Sequence, residues 1–309
     1  MAVPNNISDS KALNASLDIE LVKNFKGDAD RLAEILGIFG VETLSAGTAL
    51  KMLKVTGELN NAKTDATTTL PGTGTFSLGS SSGTNYVEDD EVALSKLSAS
   101  WETVGEIKAV PYRKMTTAAA IQKSGYVPAV LGTDKKLVSL IRADIVKEFF
   151  TFLTSGTGTA SGKGLQAAAA NVDATLGDAM EKNGDGSGSI VHFISRQDAA
   201  AYLGAAPVTT QTVFGMTYLQ NFLNMTNVFL TSQVAKGTMY ATPAENIHIY
   251  GLDFAALAQA GLQYQQDGGG LLGVAHTPAY DHVSAETNVL RGMMLFPESK
   301  GYIVKGTIN

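Results

Sequence analysis

Gly162-Lys163 closes a glycine-rich run that begins at Gly156 and resembles a phosphate loop, in which backbone N–H groups and a lysine cradle phosphates. That loop requires a glycine five positions before its second glycine and a Ser or Thr after the lysine. The sequence offers Thr157 and Gly164 instead, and the run follows a predicted helix, so an anion cradle is not expected. Gly79-Ser80-Ser81-Ser82-Gly83 has the literal spacing of a nucleophile elbow, but an elbow turns between a buried strand and a helix, and this one lies in a serine-rich run. Asn183, Asp185 and Ser187 begin like a calcium loop. The twelfth position is Ile194, where a bidentate glutamate is needed, so the segment reads as a turn before a strand.

His192, His248, His276 and His282 form no HxxxH pair and share no acidic cluster at metal-ligand spacing. His192 lies inside the apolar run Ile190–Ile194 and is expected as a hydrogen-bonded core residue. Asp281, His282 and Ser284 have the residue types of a triad, but on a strand the neighbours 281 and 282 face opposite ways. With no cysteine there is no disulfide, thiolate nucleophile or thiolate metal site. The expectation is a chain without a catalytic, metal or cofactor site, and so not an enzyme.

Charge is more informative by segment than in total. The net −6 argues against a protein that grips nucleic acid by neutralising phosphates. Nearly all of it falls in residues 58–91, where Glu58, Asp65, Glu88, Asp89, Asp90 and Glu91 face only Lys63. Within this stretch, Thr64 to Asn85 is mostly Gly, Ser and Thr, with too little apolar surface to offset the entropy of ordering it in isolation. Strand-forming runs flank it: Thr48–Thr56 before, and the alternating Trp101–Val110 after. Two strands around a long tip make a hairpin arm, and a bare two-stranded arm is marginal in water, so it is expected to rest on another protein surface.

Elsewhere, residues 17–36 read as a short amphipathic helix, interrupted at Gly27-Asp28. Asp134 is positioned to cap a longer helix ending before Gly156. Leu137, Leu140, Ile141, Ile145, Phe149, Phe152 and Leu153 give it a stripe that Val146 and Phe150 widen, so it is expected to be largely buried. The Gly/Ser/Thr run Ser155–Gly164 then breaks the chain. A second helix follows from Leu165 to Met180, with strands at Ile190–Ile194, Val228–Leu230 and Ile247–Tyr250, a short helix over Gln197–Ala206, and strands from His276 to Ile308. The class is α+β. No apolar run is long enough to span a bilayer, and the start at Met1 lacks a secretory pattern, so a soluble chain made in a cytoplasm is expected.

This order of elements resembles the HK97-fold major capsid proteins of tailed bacteriophages. The resemblance is carried by Glu88-Asp-Asp-Glu-Val-Ala-Leu-Ser-Lys96, Ile107-Lys-Ala-Val-Pro-Tyr-Arg-Lys114 and Ala119-Ala-Ile-Gln-Lys-Ser-Gly125. Val289-Leu-Arg-Gly-Met-Met-Leu-Phe-Pro297 and Gly301-Tyr-Ile-Val-Lys-Gly-Thr-Ile308 complete it at the end of the chain. It covers most of residues 41–309 in element order. It implies an N-terminal arm over 1–57, an extended β-hairpin E-loop over 58–110, and a peripheral domain with a long spine helix over 111–162 and 276–309. An axial domain over 163–275 would cluster at capsomer centres.

The resemblance also implies a structural protein of the virion that assembles in the bacterial cytoplasm, as hexamers and pentamers of itself, into an icosahedral head. That head encloses double-stranded DNA without sequence-specific binding and has no membrane partner. No long N-terminal scaffolding segment is present, so a separate scaffolding protein is expected, together with a portal and decoration or tail-connector proteins. Lys63 is not expected to form the lysine–asparagine crosslink of the founding member. The candidate assembly contacts are Glu88, Asp89, Asp90 and Glu91 on the arm, docking against the basic stretch with Arg113 and Lys114, or against the spine helix, of a neighbour. An encapsulin-type bacterial shell protein is the alternative within the fold. A soluble hydrolase or binding protein with glycine-rich loops is the alternative outside it.

Overall fold

The computed structural model describes residues 30–58, 96–186, 188–205, 227–266 and 270–309. It opens with helix α1 (Asp30–Phe39) and strand β1 (Glu42–Leu44). The helix expected over 17–36 therefore enters the described residues only through its second half, where Ile35 is buried. The chain forms two units, Ala49–Gly105 and the remainder.

The smaller unit is the arm: β2 (Ala49–Glu58) pairs with β3 (Lys96–Glu106) in a two-stranded sheet. The alternating run Trp101–Val110 is thus not one strand. It ends as β3 at Glu106 and resumes as β4 (Ala109–Thr117), because the side chain of Ile107 between them is buried in the larger unit and its carbonyl accepts from Gly47 N–H at 3.4 Å.

After β4 come α2 (Ala118–Ser124), a π-helical segment Val127–Leu131, and α3 (Gly132–Leu153). Because α3 continues directly out of the π-helical segment, its first turn needs no side-chain cap, and Asp134 lies inside the helix rather than capping it. The buried line of α3 is Asp134, Val138, Ile141, Ile145, Phe149, Phe150 and Leu153, whereas Leu140 is 56 % exposed. The helix is half-buried, not largely buried. The expected stripe was set one position off at its N-terminal end, because Asp134 occupies an apolar-line position.

The run Ser155–Gly164 does not break the chain. It holds β5 (Gly158–Gly162), and α4 (Gly164–Asn183) follows. A Cβ at Gly158 would lie 2.7 Å from Val304 Cγ2, so this glycine is there for close backbone approach. Then come β6 (Ile190–Ser195), α5 (Arg196–Ala205), β7 (Asn227–Thr231), β8 (Thr238–Pro243) and β9 (Ile247–Leu252). They are followed by α6 (Ala255–Gln259), β10 (Gln265–Gln266), β11 (Leu272–Ala279), β12 (Ser284–Pro297) and β13 (Val304–Ile308).

The longest strand organises the larger sheet, ordered β1-β9-β12-β11-β10 with β4 also on β12. Residues Ser284–Gly292 of β12 run antiparallel to β4, from Ser284 opposite Thr117 to Gly292 opposite Ala109. On its other edge the same part pairs with β11, and Met293–Pro297 then pair with β9. The second sheet has the order β5-β13-β8-β6-β7, so the last strand of the chain closes a different sheet from β12.

Strand β6 shows why two cores form. Its period of two sends Val191 and Phe193 to a core with α1, α3 and the larger sheet, and Ile194 to a core with α4. Phe193 lies among Phe149, Phe150 and Phe229 at ring-centroid separations of 5.4–5.6 Å. On the other side Leu165, Ala168, Ala169, Val172, Leu176 and Met180 of α4 cover β6, β8 and β13. Both cores are closely packed. A Cβ on Gly306 in β13 would lie 2.6 Å from Met239 Cγ and from Val172 Cγ2, so Gly306→Ala is expected to cost about 1–3 kcal/mol of subunit stability. Gly177→Ala, where a Cβ would meet nothing within 4 Å on α4, is expected to be neutral or to stabilise by up to about 1 kcal/mol; denaturant unfolding of the two variants checks the pair.

Candidate functional site

A polar cluster of the larger unit is built on Asp134, in the first turn of α3, at 0 % exposure. Three strands supply its donors. Lys114 of β4 donates to Oδ1, Thr287 of β12 donates to Oδ1 at 2.9 Å, and His276 Nε2 of β11 lies 2.9 Å from Oδ2. Lys114 Nζ also donates to the Val130 carbonyl at 3.0 Å and to Thr133 Oγ1. Burial by itself raises the Asp134 pKa, but the hydrogen bonds from His276, Lys114 and Thr287, with the lysine charge, outweigh it and hold the carboxyl below its ordinary range. The carboxylate oxygens are occupied by donors and all three ammonium protons are engaged. The cluster therefore fastens a helix to three strands and offers neither a general base nor a nucleophile.

Two arginines of the same sheet form three further ion pairs. Arg113 of β4 donates to Glu286 of β12 through Nε at 2.9 Å and through Nη2. Arg113 is 62 % exposed and Glu286 8 %, and the bidentate partner holds the glutamate pKa below its usual value. Arg291, 5 % exposed, pairs with Asp144 and Glu148 of α3.

Among the described residues, the other side chains singled out in the sequence lie apart from this cluster. Asp281 and His282 sit in the turn between β11 and β12, not on a strand. Their side chains therefore meet, at 3.3 Å, instead of diverging, while Ser284 Oγ is buried without a hydrogen-bond partner. Asn183 and Asp185, the start of the calcium-like pattern, close α4 instead: Gly184 takes a left-handed φ of 76° and Tyr302 Oη bonds to both side chains. His192 is buried with Nε2 2.7 Å from Asp173 Oδ1, but its Nδ1 has no partner, so it is only half satisfied.

The sequence matches no family model and no curated protein. Solved structures do match. A virus-like particle from Pyrococcus furiosus aligns over 94 % of this chain and 98 % of its own, at 7 % identity and a TM-score of 0.52. Microbacterium phage Oxtober96 aligns over 89 % and 90 %, at 12 % identity and 0.53, and the capsid of Myoviridae Phage XM1 over 88 % and 90 %, at 9 % and 0.50. The chain has the HK97-like capsid fold.

In this HK97-like chain the residues expected at assembly contacts separate into three groups. Glu88, Asp89, Asp90 and Glu91 lie outside the described residues, as do Lys63 and the Gly79–Gly83 run. Arg113 is on the surface, with its charge already matched by Glu286. Lys114 points into its own chain, with its side chain 20 % exposed. Asp134, His276, Glu286, Thr287 and Arg291 did not stand out in the sequence as a group. His276 and Thr287 are 142 and 153 residues from Asp134, and no local spacing connects them.

Asp134 and Glu286 titrate below their unfolded values. Their contribution to stability is therefore complete above about pH 5 and is lost as pH falls through the depressed folded values. Asp134→Asn is expected to cost about 3 kcal/mol at neutral pH, since Lys114 is left without its counter-charge, and to flatten the acid limb of the stability curve. Chemical denaturation of the purified subunit between pH 3 and pH 7 reads both effects.

Proposed function

We propose that this chain is the building block of an icosahedral shell, the head capsid of a tailed bacteriophage, assembled from hexamers and pentamers of itself around double-stranded DNA. One observation carries the reading: the fold matches that of a virus-like particle over nearly the whole of both chains. The role in this reading is structural, and the Asp134 cluster is spent on holding elements of its own chain together. In this reading residues 1–57 are the N-terminal arm, 58–110 the E-loop, 111–162 with 276–309 the peripheral domain, and 163–275 the axial domain. Assembly would take place in the host cytoplasm with a separate scaffolding protein and a portal, the product being the virion. The likeness to a virus-like particle favours one second reading, a shell of the encapsulin type, which would hold protein cargo instead of packaged DNA.

The acidic base of the arm is assigned to the outer face of α3 in a neighbouring copy. Lys135, Lys136 and Lys147 are exposed there beside Leu140, which is 56 % exposed. Arg113 and Lys114 are the weaker partners, because each already has an acidic partner in its own chain. Exposed pairs contribute about 0.2–1 kcal/mol each, so the contact sets register and gains strength only by repetition around the shell.

Electron microscopy of the purified chain is expected to show closed hollow particles; a protein that stays monomeric at high concentration would exclude the shell. Replacing Glu88, Asp89, Asp90 and Glu91 with their amides is expected to lower particle yield and remove its dependence on salt. Unchanged yield and salt dependence would overturn the docking of the arm on α3.

A further inference from the structure

Between the C-terminal half of α3 and strands β4 and β12 lies a cavity of about 500 Å³ within the larger unit. Phe152, Met293 and Leu295 give it apolar walls, and Arg291, Glu148 and Glu106 give it polar ones. Arg291 is 5 % exposed. Its terminal nitrogens engage Asp144 and Glu148, but Nε is buried without a partner. A cation half-enclosed in apolar walls and incompletely satisfied suits an occupant with an electron-rich flat face. The carboxylates of Glu106 and Glu148 suit an occupant that also donates one hydrogen bond.

An indole has both properties, and the chain contains a single tryptophan, Trp101. It is 68 % exposed on β3, and the described side chains from Ser98 to Trp101 and Thr103 are exposed with it. A two-stranded sheet has no second layer in which to bury so large a ring, and exposed tryptophan is the residue type most enriched among the side chains that dominate protein–protein contacts. We propose that Trp101 of one copy seats in the α3–β12 cavity of a second copy, its ring over the Arg291 guanidinium and its Nε1–H directed at a rim carboxylate. The proposal rests on the self-assembly reading and adds to it a specific arm-to-body contact that does not depend on the acidic residues of the arm.

Because Trp101 is the only tryptophan, intrinsic tryptophan fluorescence reports on its surroundings alone, and the Thr151→Phe variant ties any change to the cavity. Emission from dispersed subunits is expected to be that of an exposed indole. It should shift to the blue and gain protection from acrylamide when shells form. Thr151→Phe, which places a ring into the cavity from an exposed position on α3, is expected to fold normally by circular dichroism and to abolish the shift or assembly itself. Trp101→Ala is expected to weaken assembly, followed by light scattering, and the two substitutions together should weaken it no more than either alone. Shells whose emission equals that of free subunits would overturn this assignment and leave the shell reading intact. So would a full blue shift in Thr151→Phe shells, or additive losses in the double variant. Failure of the unaltered chain to form shells would remove both.

Discussion

Asp134 carries a negative charge to a position with no solvent exposure, where desolvation costs several kcal/mol unless other donors replace the lost water. Its donors come from β4, β11 and β12, so the penalty is offset only when all three strands and the start of α3 are in place together. This makes the cluster a test of correct assembly within the chain. A register slip of one residue in β12 would turn Thr287 to the opposite face and leave the carboxylate short of a donor. Arg291, four residues further along the same strand, repeats the arrangement at the middle of α3 with Asp144 and Glu148. Together the two polar contacts fix both the rotation of the helix and its position along the sheet. Its apolar line shares a core with Val274 and Val289, a contact without the directionality of these bonds.

The rest of the larger unit depends on a different economy, in which one strand serves two cores. β6 is buried on both faces, and its alternate residues contribute to the phenylalanine cluster and to the α4 layer. Thin walls of this kind need small residues where layers cross. The glycines of β5 and β13 supply that closeness, so a stretch that reads by composition as a break is among the more tightly packed parts of the molecule.

An identity of 7 % over nearly the full length of two chains follows from the same physics. Apolar stripes of correct period and volume can be filled by many residue combinations, so the same order of elements survives when nearly every residue differs. What the fold must keep is strand order and the packing of its long helix on the sheet. Trp101, Leu140 and Tyr280 stand outside that packing as large exposed side chains.

Periodicity alone placed α4 through Leu165, Ala169, Val172, Leu176 and Met180, and it placed β6, β7 and β9, because each element buries a face whose repeat is written locally. The two-stranded arm was legible from strand-forming runs around a polar stretch. The division of Trp101–Val110 into two strands was not, since it depends on Ile107 finding a distant core. Nor was the role of Asp134, which local rules read as a helix cap. The sequence by itself determined the elements whose repeat is local, among them α4, β6 and the paired strands of the arm, and the concentration of negative charge in residues 58–91, because those properties depend on neighbours a few residues apart. Tertiary structure alone decided that Lys114 faces inward, that Arg113 is matched by Glu286, and that Asp134 is a buried anchor. Arg113 meets Glu286, 173 residues away, through the pairing of β4 with β12, and Lys114 meets Asp134, 20 residues away, only once α3 packs on that sheet.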